Sequence, residues 1–202
     1  MSLWLASDPL LLASRSAARR TLLEAAGIPV EPHPADLDER ALEASAGAAA
    51  PPAIAALLAR AKALFVAHER PGRLVLGADQ VLALGAERLS KPADRASARS
   101  QLQLLSGRTH ELHSALAFVQ DGIVLFEYGG SARLTMRSFS DQFLDRYLDT
   151  VGESATVSVG GYQIEGPGIE LFERVEGDYF TILGLPLLAA LDFLRRRGCL
   201  IE

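Results

Sequence analysis

The sequence predicts an α/β fold, with short apolar strands alternating with helices and one long hairpin between them. Three stretches carry that prediction. Residues 10–14, Leu-Leu-Leu-Ala-Ser, form an apolar run that hands over to a helical pattern, with Leu22, Leu23 and Ala26 on one stripe and Gly27 behind it. Residues 73–79, Arg-Leu-Val-Leu-Gly-Ala-Asp, read as a strand ending in an acid and continued by Val81 and Leu82. Residues 109–119 and 123–128 are strand-rich runs separated by Gln120-Asp121-Gly122, the pattern of a hairpin.

The elements follow in order. Residues 10–14 form a buried strand, and Ser16 caps the helix after it, because its hydroxyl can accept from an otherwise unpaired backbone N–H. A second short strand fits 28–32, and the alanine-rich residues 40–50 form a helix or loop. Pro51 and Pro52 open a strong helix in which Ile54, Leu57, Leu58, Ala61, Leu64 and Phe65 recur at helical spacing, with Lys62 beside the stripe. After the strand at 73–79, residues 93–106 form a helix closed by Gly107. The hairpin comes next, then a helix capped by Ser140 that carries Phe143, Leu144, Tyr147 and Leu148. A glycine-rich loop at 159–168, strand-like segments around 170–183 and a final helix from Pro186 to Arg197 complete the chain. No repeat and no clear linker divides it, so 202 residues make one domain or two lobes sharing a core.

Composition narrows the function. The chain is 49% hydrophobic and 22% charged, the balance of a folded protein rather than a disordered one. A net charge of −5 argues against a nucleic-acid partner, while leaving room for a local basic pocket. One cysteine, Cys199, can form neither an internal disulfide nor a cysteine-rich zinc site, and cytoplasmic residence fits best. No stretch approaches the roughly 20 apolar residues of a membrane helix. The apolar N-terminus lacks the basic flank of a signal peptide.

Several residues can carry chemistry, and each has two readings. Ser14, Ser16, Arg19 and Arg20 lie at a strand-to-helix junction, where backbone N–H groups favour an anion and arginine adds a bidentate clamp. Equally, Ser16 can be only a cap and the arginines solvated. No phosphate-loop signature is present. Asp79, at a strand's carboxyl end, suits a general base or metal ligand, or a plain turn aspartate. Lys91 before Pro92 can reach a phosphate or simply face water. Asp36, Asp38 and Glu39 can hold a hard cation or start a helix. The four histidines show no zinc spacing, and no G-x-S-x-G supports a serine hydrolase.

Taken in order, the pieces are Leu-Ala-Ser-x-Ser-x-x-Arg at 12–19, Asp-x-Asp-Glu at 36–39, Ala-Arg-Ala-Lys-Ala at 59–63, Gly-Ala-Asp-Gln-Val at 77–81, Ser-Lys-Pro at 90–92, Leu-Ser-Gly-Arg-Thr-His-Glu at 105–111, and a series at 165–187 running from Glu-Gly-x-Gly to Gly-Leu-Pro-Leu. That series resembles the Maf family of nucleoside triphosphate pyrophosphatases over nearly the whole chain. The resemblance implies a single domain over 1–202. It implies an elongated mixed curved sheet flanked by helices, with two lobes and a central cleft, of the Maf/ITP-pyrophosphatase kind. It implies hydrolysis between the α and β phosphates, a divalent cation (Mg²⁺ or Mn²⁺), a nucleoside triphosphate substrate and a homodimer. By motif, Ser14, Ser16, Arg19, Lys62 and Lys91 would contact phosphates. Asp79 would accept a proton or hold the metal, and Glu39 would join it as a metal ligand.

Base preference is implied at three positions. Gln80, Glu165 and the Gly-x-Gly-x-x-Leu-Phe-Glu run at 166–173 resemble the branch acting on 7-methyl-GTP, and Ala18 stands where many members carry arginine. Family members with threonine and glutamine at positions 80 and 165 resemble the dTTP/UTP branch. A carboxylate only accepts, which suits the N1–H and 2-amino donors of guanine. Gly160-Gly161-Tyr162 departs from the 7-methyl-GTP pattern. A second reading is a non-catalytic nucleotide-binding regulator of septum formation, against which Asp79 and both lysines count.

Overall fold

A computed structural model describes residues 2–201, which form two compact units. The first comprises residues 2–80, 113–130 and 178–201, and the second residues 81–112 and 131–177. In chain order the elements are β1 (Leu10–Leu12), α1 (Ala17–Ala25), β2 (Val30–Pro32), α2 (Glu39–Ser45), α3 (Pro51–Glu69), β3 (Val75–Leu84) and β4 (Glu87–Leu89). There follow α4 (Arg95–Leu105), β5 (Thr109–Gln120), β6 (Ile123–Met136), α5 (Asp141–Val151), β7 (Phe172–Glu176), α6 (Tyr179–Ile182) and α7 (Leu187–Arg196). The strands form one seven-stranded sheet in the order β2-β1-β3-β5-β6-β7, with β4 on β3. It is mixed: β1 runs parallel to β2 and β3, whereas β4 is antiparallel to β3 and β7 to β6.

The first unit is layered, and strand alternation explains how. Leu10, Leu12, Leu76, Ala78, Leu116 and Phe118 pack with Leu23 of α1 and with Ala190, Phe193 and Leu194 of α7. Their neighbours in sequence, Leu11, Val75, Ala117 and Val119, turn the other way onto Ala63, Val66 and Ala67 of α3. β3 is buried on both faces, so its sequence reads as a nearly continuous apolar run. Gly77 lies on the α3 face. A Cβ there would stand 2.1 Å from the Ala59 carbonyl oxygen and 2.7 Å from the Ala63 nitrogen, so α3 rests directly on the strand backbone.

In the second unit, Arg99 of α4 donates to Asp141 and Asp145 of α5 at 2.9 and 2.8 Å. Its core holds His110, fully buried, with Nε2 2.7 Å from the Tyr162 hydroxyl and Nδ1 without a hydrogen-bond partner. Burial pushes the His110 pKa down to about 4. The unfolded chain therefore binds the extra proton first as pH falls from 6.5. Stability should drop by about 3 kcal/mol between pH 6.5 and 4. Melting temperatures across that window should fall for the wild type. His110→Phe should remove this contribution, and an equal acid slope in the variant would assign the loss to other groups.

Three sequence expectations are corrected. Asp79 is not at a strand end: β3 continues to Leu84, because Val81, Leu82, Ala83 and Leu84 are all buried. The second hairpin strand runs to Met136 rather than 128, since its exposed polar residues still alternate with buried Ala132, Leu134 and Met136. The region 170–183 is strand only to Glu176. Asp178 then caps a single helical turn, accepting from Thr181 N at 2.7 Å.

Candidate active site

The α3-facing side of β3 builds the charged centre. Side chains two apart on a strand share a face, so Asp79 stands on the same side as Gly77. Ala59 and Ala63 of α3 sit against Gly77, and Lys62 occupies the same helical face. The close approach delivers its Nζ to Asp79, donating to Oδ1 at 2.6 Å, while Glu39 Oε2 lies 2.9 Å from the same ammonium. Asp79 and Lys62 are buried, and Glu39 reaches in from a more exposed position. A buried ammonium held between two carboxylates replaces its lost water with charge.

The acidic run at 36–39 is not a metal cluster by itself. Asp38 Oδ1 accepts from Ala41 N at 3.0 Å as the cap of α2, which leaves Glu39 to turn to Lys62. Among the described residues no group of three or more His, Cys, Asp or Glu could hold a metal ion. Glu39 and Asp79 still fit a hard cation in one mode: a Mg²⁺-type ion takes one or two carboxylates and completes its shell with substrate phosphates and water.

At the β1-to-α1 junction the expected cap is present, with Ser16 Oγ accepting from Arg19 N at 3.4 Å. Ser14 is buried, and its Oγ accepts from Ser16 N at 3.2 Å and from Arg19 Nη1 at 3.0 Å. Arg19 is buried too. Its Nη1 also donates to the Ala78 carbonyl at 2.7 Å, and its Nε to the Gly184 carbonyl at 2.8 Å. Burial lowers the Arg19 pKa, and the negative charges of Asp79 and Glu39 raise it, so these groups share one electrostatic field. Arg20 lies apart from them, paired with Glu24 on the helix surface.

The specificity candidates separate. Ala18 is half-buried on α1. Gln80 points to the face opposite Asp79, where its Nε2 shares two hydrogens among Ser114 Oγ at 3.0 Å, Thr181 O at 3.1 Å and Ile182 O at 2.9 Å. Lys91 and Glu165 belong to the second unit, and both are exposed. The first unit thus brings together Ser14, Ser16, Arg19, Glu39, Lys62, Asp79 and Gln80. Two positions that shape the surroundings of these residues escaped sequence reasoning. Gly77 carried a readable signal, since glycine inside a strand marks close backbone approach. Ser114, buried in the hairpin, had none.

Comparison with known proteins fits this arrangement. The family model described as Maf-like protein matches residues 9–197. A nucleoside triphosphate pyrophosphatase of Rhodopseudomonas palustris is 58% identical over 200 residues, 99% of each chain. One of the same name from Bradyrhizobium diazoefficiens is 52% identical over 195 residues, 96% of each chain. A 7-methyl-GTP pyrophosphatase of Rhizobium johnstonii is 54% identical over 194 residues, 95% of this chain and 97% of its own. With the family model matching residues 9–197 and relatives matching over nearly its whole length, the chain belongs to the Maf family.

Proposed function

We propose that this chain hydrolyses the bond between the α and β phosphates of a nucleoside triphosphate, releasing the monophosphate and pyrophosphate. The observation that carries the reading is the charge cluster in which buried Arg19, Lys62 and Asp79 are joined by the more exposed Glu39. A cluster that is neutral in sum is stable without substrate, yet its cations can change partners when a polyanion arrives. Lys62 would shift from Asp79 toward a phosphate oxygen, freeing Asp79 to orient a water and take its proton. Arg19 would offer Nη2, the part of its fork not spent on Ser14, Ala78 and Gly184. Glu39 would hold the divalent cation, with Asp79 as its second ligand in the alternative to the proton-acceptor role, and the cation when bound would polarise a phosphoryl oxygen. Lys91 is the remaining proposed phosphate contact.

For the base, the proposal is 7-methyl-GTP. Glu165 supports it, because a carboxylate accepts from both guanine donors and attracts a cationic methylated ring. The competing substrates are dTTP and UTP, those of the other branch that the family resemblance implies. Incubation with 7-methyl-GTP, GTP, UTP and dTTP in Mg²⁺ or Mn²⁺ should release pyrophosphate. Orthophosphate as the first product would exclude α–β cleavage. Glu165→Gln should lower kcat/KM for 7-methyl-GTP by roughly ten- to a hundredfold, the scale of one mismatched buried polar partner. An equal change on all four substrates would show that Glu165 does not read the base.

A further inference from the structure

We infer that a cavity at the amino ends of β1 and β3 is a second binding site, one that takes a small aromatic carboxylate. Its volume is about 190 Å³, and every residue lining it belongs to the first unit. β1 and β3 pair in parallel at Leu11–Val75 and Leu12–Leu76. Ser14 and Asp79 follow that paired segment, whereas the cavity residues Pro9, Leu10, Arg73 and Leu74 precede it. The two chain ends build one wall. Trp4 and Leu200 form an antiparallel bridge, with Leu5 N donating to Cys199 O at 2.9 Å and Ile201 N to Leu3 O at 3.1 Å. The backbone before β1 is therefore tied to the tail, and side chains line the space it leaves beside the sheet.

Trp4, Pro9, Leu10 and Leu74 supply the apolar lining. The Trp4 Nε1 donates to the Asp8 carbonyl at 3.1 Å, so the polar edge of the indole is satisfied and its ring offers apolar surface. Arg73 and Arg197 supply the charge, and they differ. Arg73 Nη2 donates to Pro9 O at 3.0 Å and to Glu31 Oε2 at 2.8 Å, so its charge is offset. Arg197 Nη2 donates to Gln120 Oε1 at 2.8 Å, a neutral partner, and Gln120 Nε2 donates in turn to Gly72 O at 2.9 Å. The amide is held at both ends, which positions the Arg197 fork while leaving its charge without a carboxylate among the described residues. A planar guanidinium with spare N–H groups matches a carboxylate through two parallel bonds. Its field reaches the lining: burial pushes the Cys199 thiol up, and the Arg197 charge pulls it down. Asp8 also lines the cavity and opposes an anion, but it is exposed, its Oδ2 accepting from Ser7 Oγ at 3.0 Å. Size completes the assignment. An apolar cavity of about 150 Å³ takes benzene, so about 190 Å³ holds one ring with its carboxylate but not a nucleotide.

Benzoate is the probe, benzamide its uncharged isostere, and inorganic phosphate an anion without a ring. Trp4 is the chain's only tryptophan and Cys199 its only cysteine, so both report on the cavity without a label. Benzoate should change the Trp4 fluorescence saturably, with Kd on the order of 0.1–1 mM for so small a ligand. It should also slow alkylation of Cys199 by iodoacetamide in proportion to occupancy. Arg197→Gln should raise Kd about tenfold, the order of one charge-assisted contact, with nucleotide turnover and Tm at their wild-type values. Asp8→Asn should lower Kd about two- to fivefold, as removal of an exposed like charge does. Benzamide binding as tightly as benzoate would remove Arg197 from recognition. Phosphate binding with equal affinity would remove the ring seat, and full-speed alkylation of Cys199 at saturating benzoate would place the probe elsewhere. Each of these results overturns the site, as does the absence of both signals at about 10 mM benzoate.

Discussion

Asp79→Asn should lower kcat by about a hundred- to ten-thousandfold, the range lost with a general base, in a protein that remains folded. The change conserves shape on a buried strand and removes only the charge. Asn Oδ1 can still accept from the Lys62 ammonium, which sits 2.6 Å from the native carboxylate oxygen. Lys62 also keeps Glu39, 2.9 Å away, as a charged partner. The stability cost should therefore stay below the roughly 3–5 kcal/mol of an abandoned buried charge. Near-ultraviolet circular dichroism and a melting curve establish the fold, and pyrophosphate release under saturating nucleotide gives kcat. A rate within a few-fold of wild type would remove Asp79 from the role of proton acceptor.

Gly77→Ala is the second large effect, and it needs no charge. The new methyl would lie 2.1 Å from Ala59 O and 2.7 Å from Ala63 N, both backbone atoms of α3 with no rotamer to change. The helix must back away from β3. Overpacking of this kind costs about 1–3 kcal/mol and sometimes more. At the upper end that lowers Tm by roughly 6–12 °C in a chain of this size. Lys62 rides on α3, so its ammonium moves away from Asp79, and a shift of about 1 Å in such a group can cost on the order of a hundredfold in rate. Calorimetry and kcat/KM measured on the same preparation test both halves. A wild-type Tm would show that α3 does not rest on this strand as described.

Much of the first unit was legible in the sequence, for identifiable reasons. The Ser16 cap and the proline start of α3 are local chemistry, written within a few residues, and both are present. The apolar run at 73–79 was legible as strand, but its end was not. Asp79 reads as a terminus because a buried carboxylate is costly, and the partner that offsets the cost, Lys62, lies seventeen residues earlier. The segment at 178–183 failed similarly. A one-turn helix has no periodicity to detect, and its anchors, Gln80 and Ser114, are 102 and 67 residues away. For the site, the ordered motifs singled out Arg19, Lys62, Asp79 and Glu39. The same motifs name Gln80 as a base-preference position, but sequence order alone does not say that its side chain takes the face of β3 opposite Asp79.

The bond from Arg19 to Gly184 spans 165 positions of the chain. During synthesis a nascent polypeptide emerges from its N-terminus, so the arginine is made 165 positions before its partner. Loop closure over such a length opposes early formation of the contact. A ribosome-bound chain that ends before Gly184 can form β1 and α1, but its guanidinium has no carbonyl on that side to fix it. The guanidinium is thus fixed on that side only once synthesis has passed Gly184.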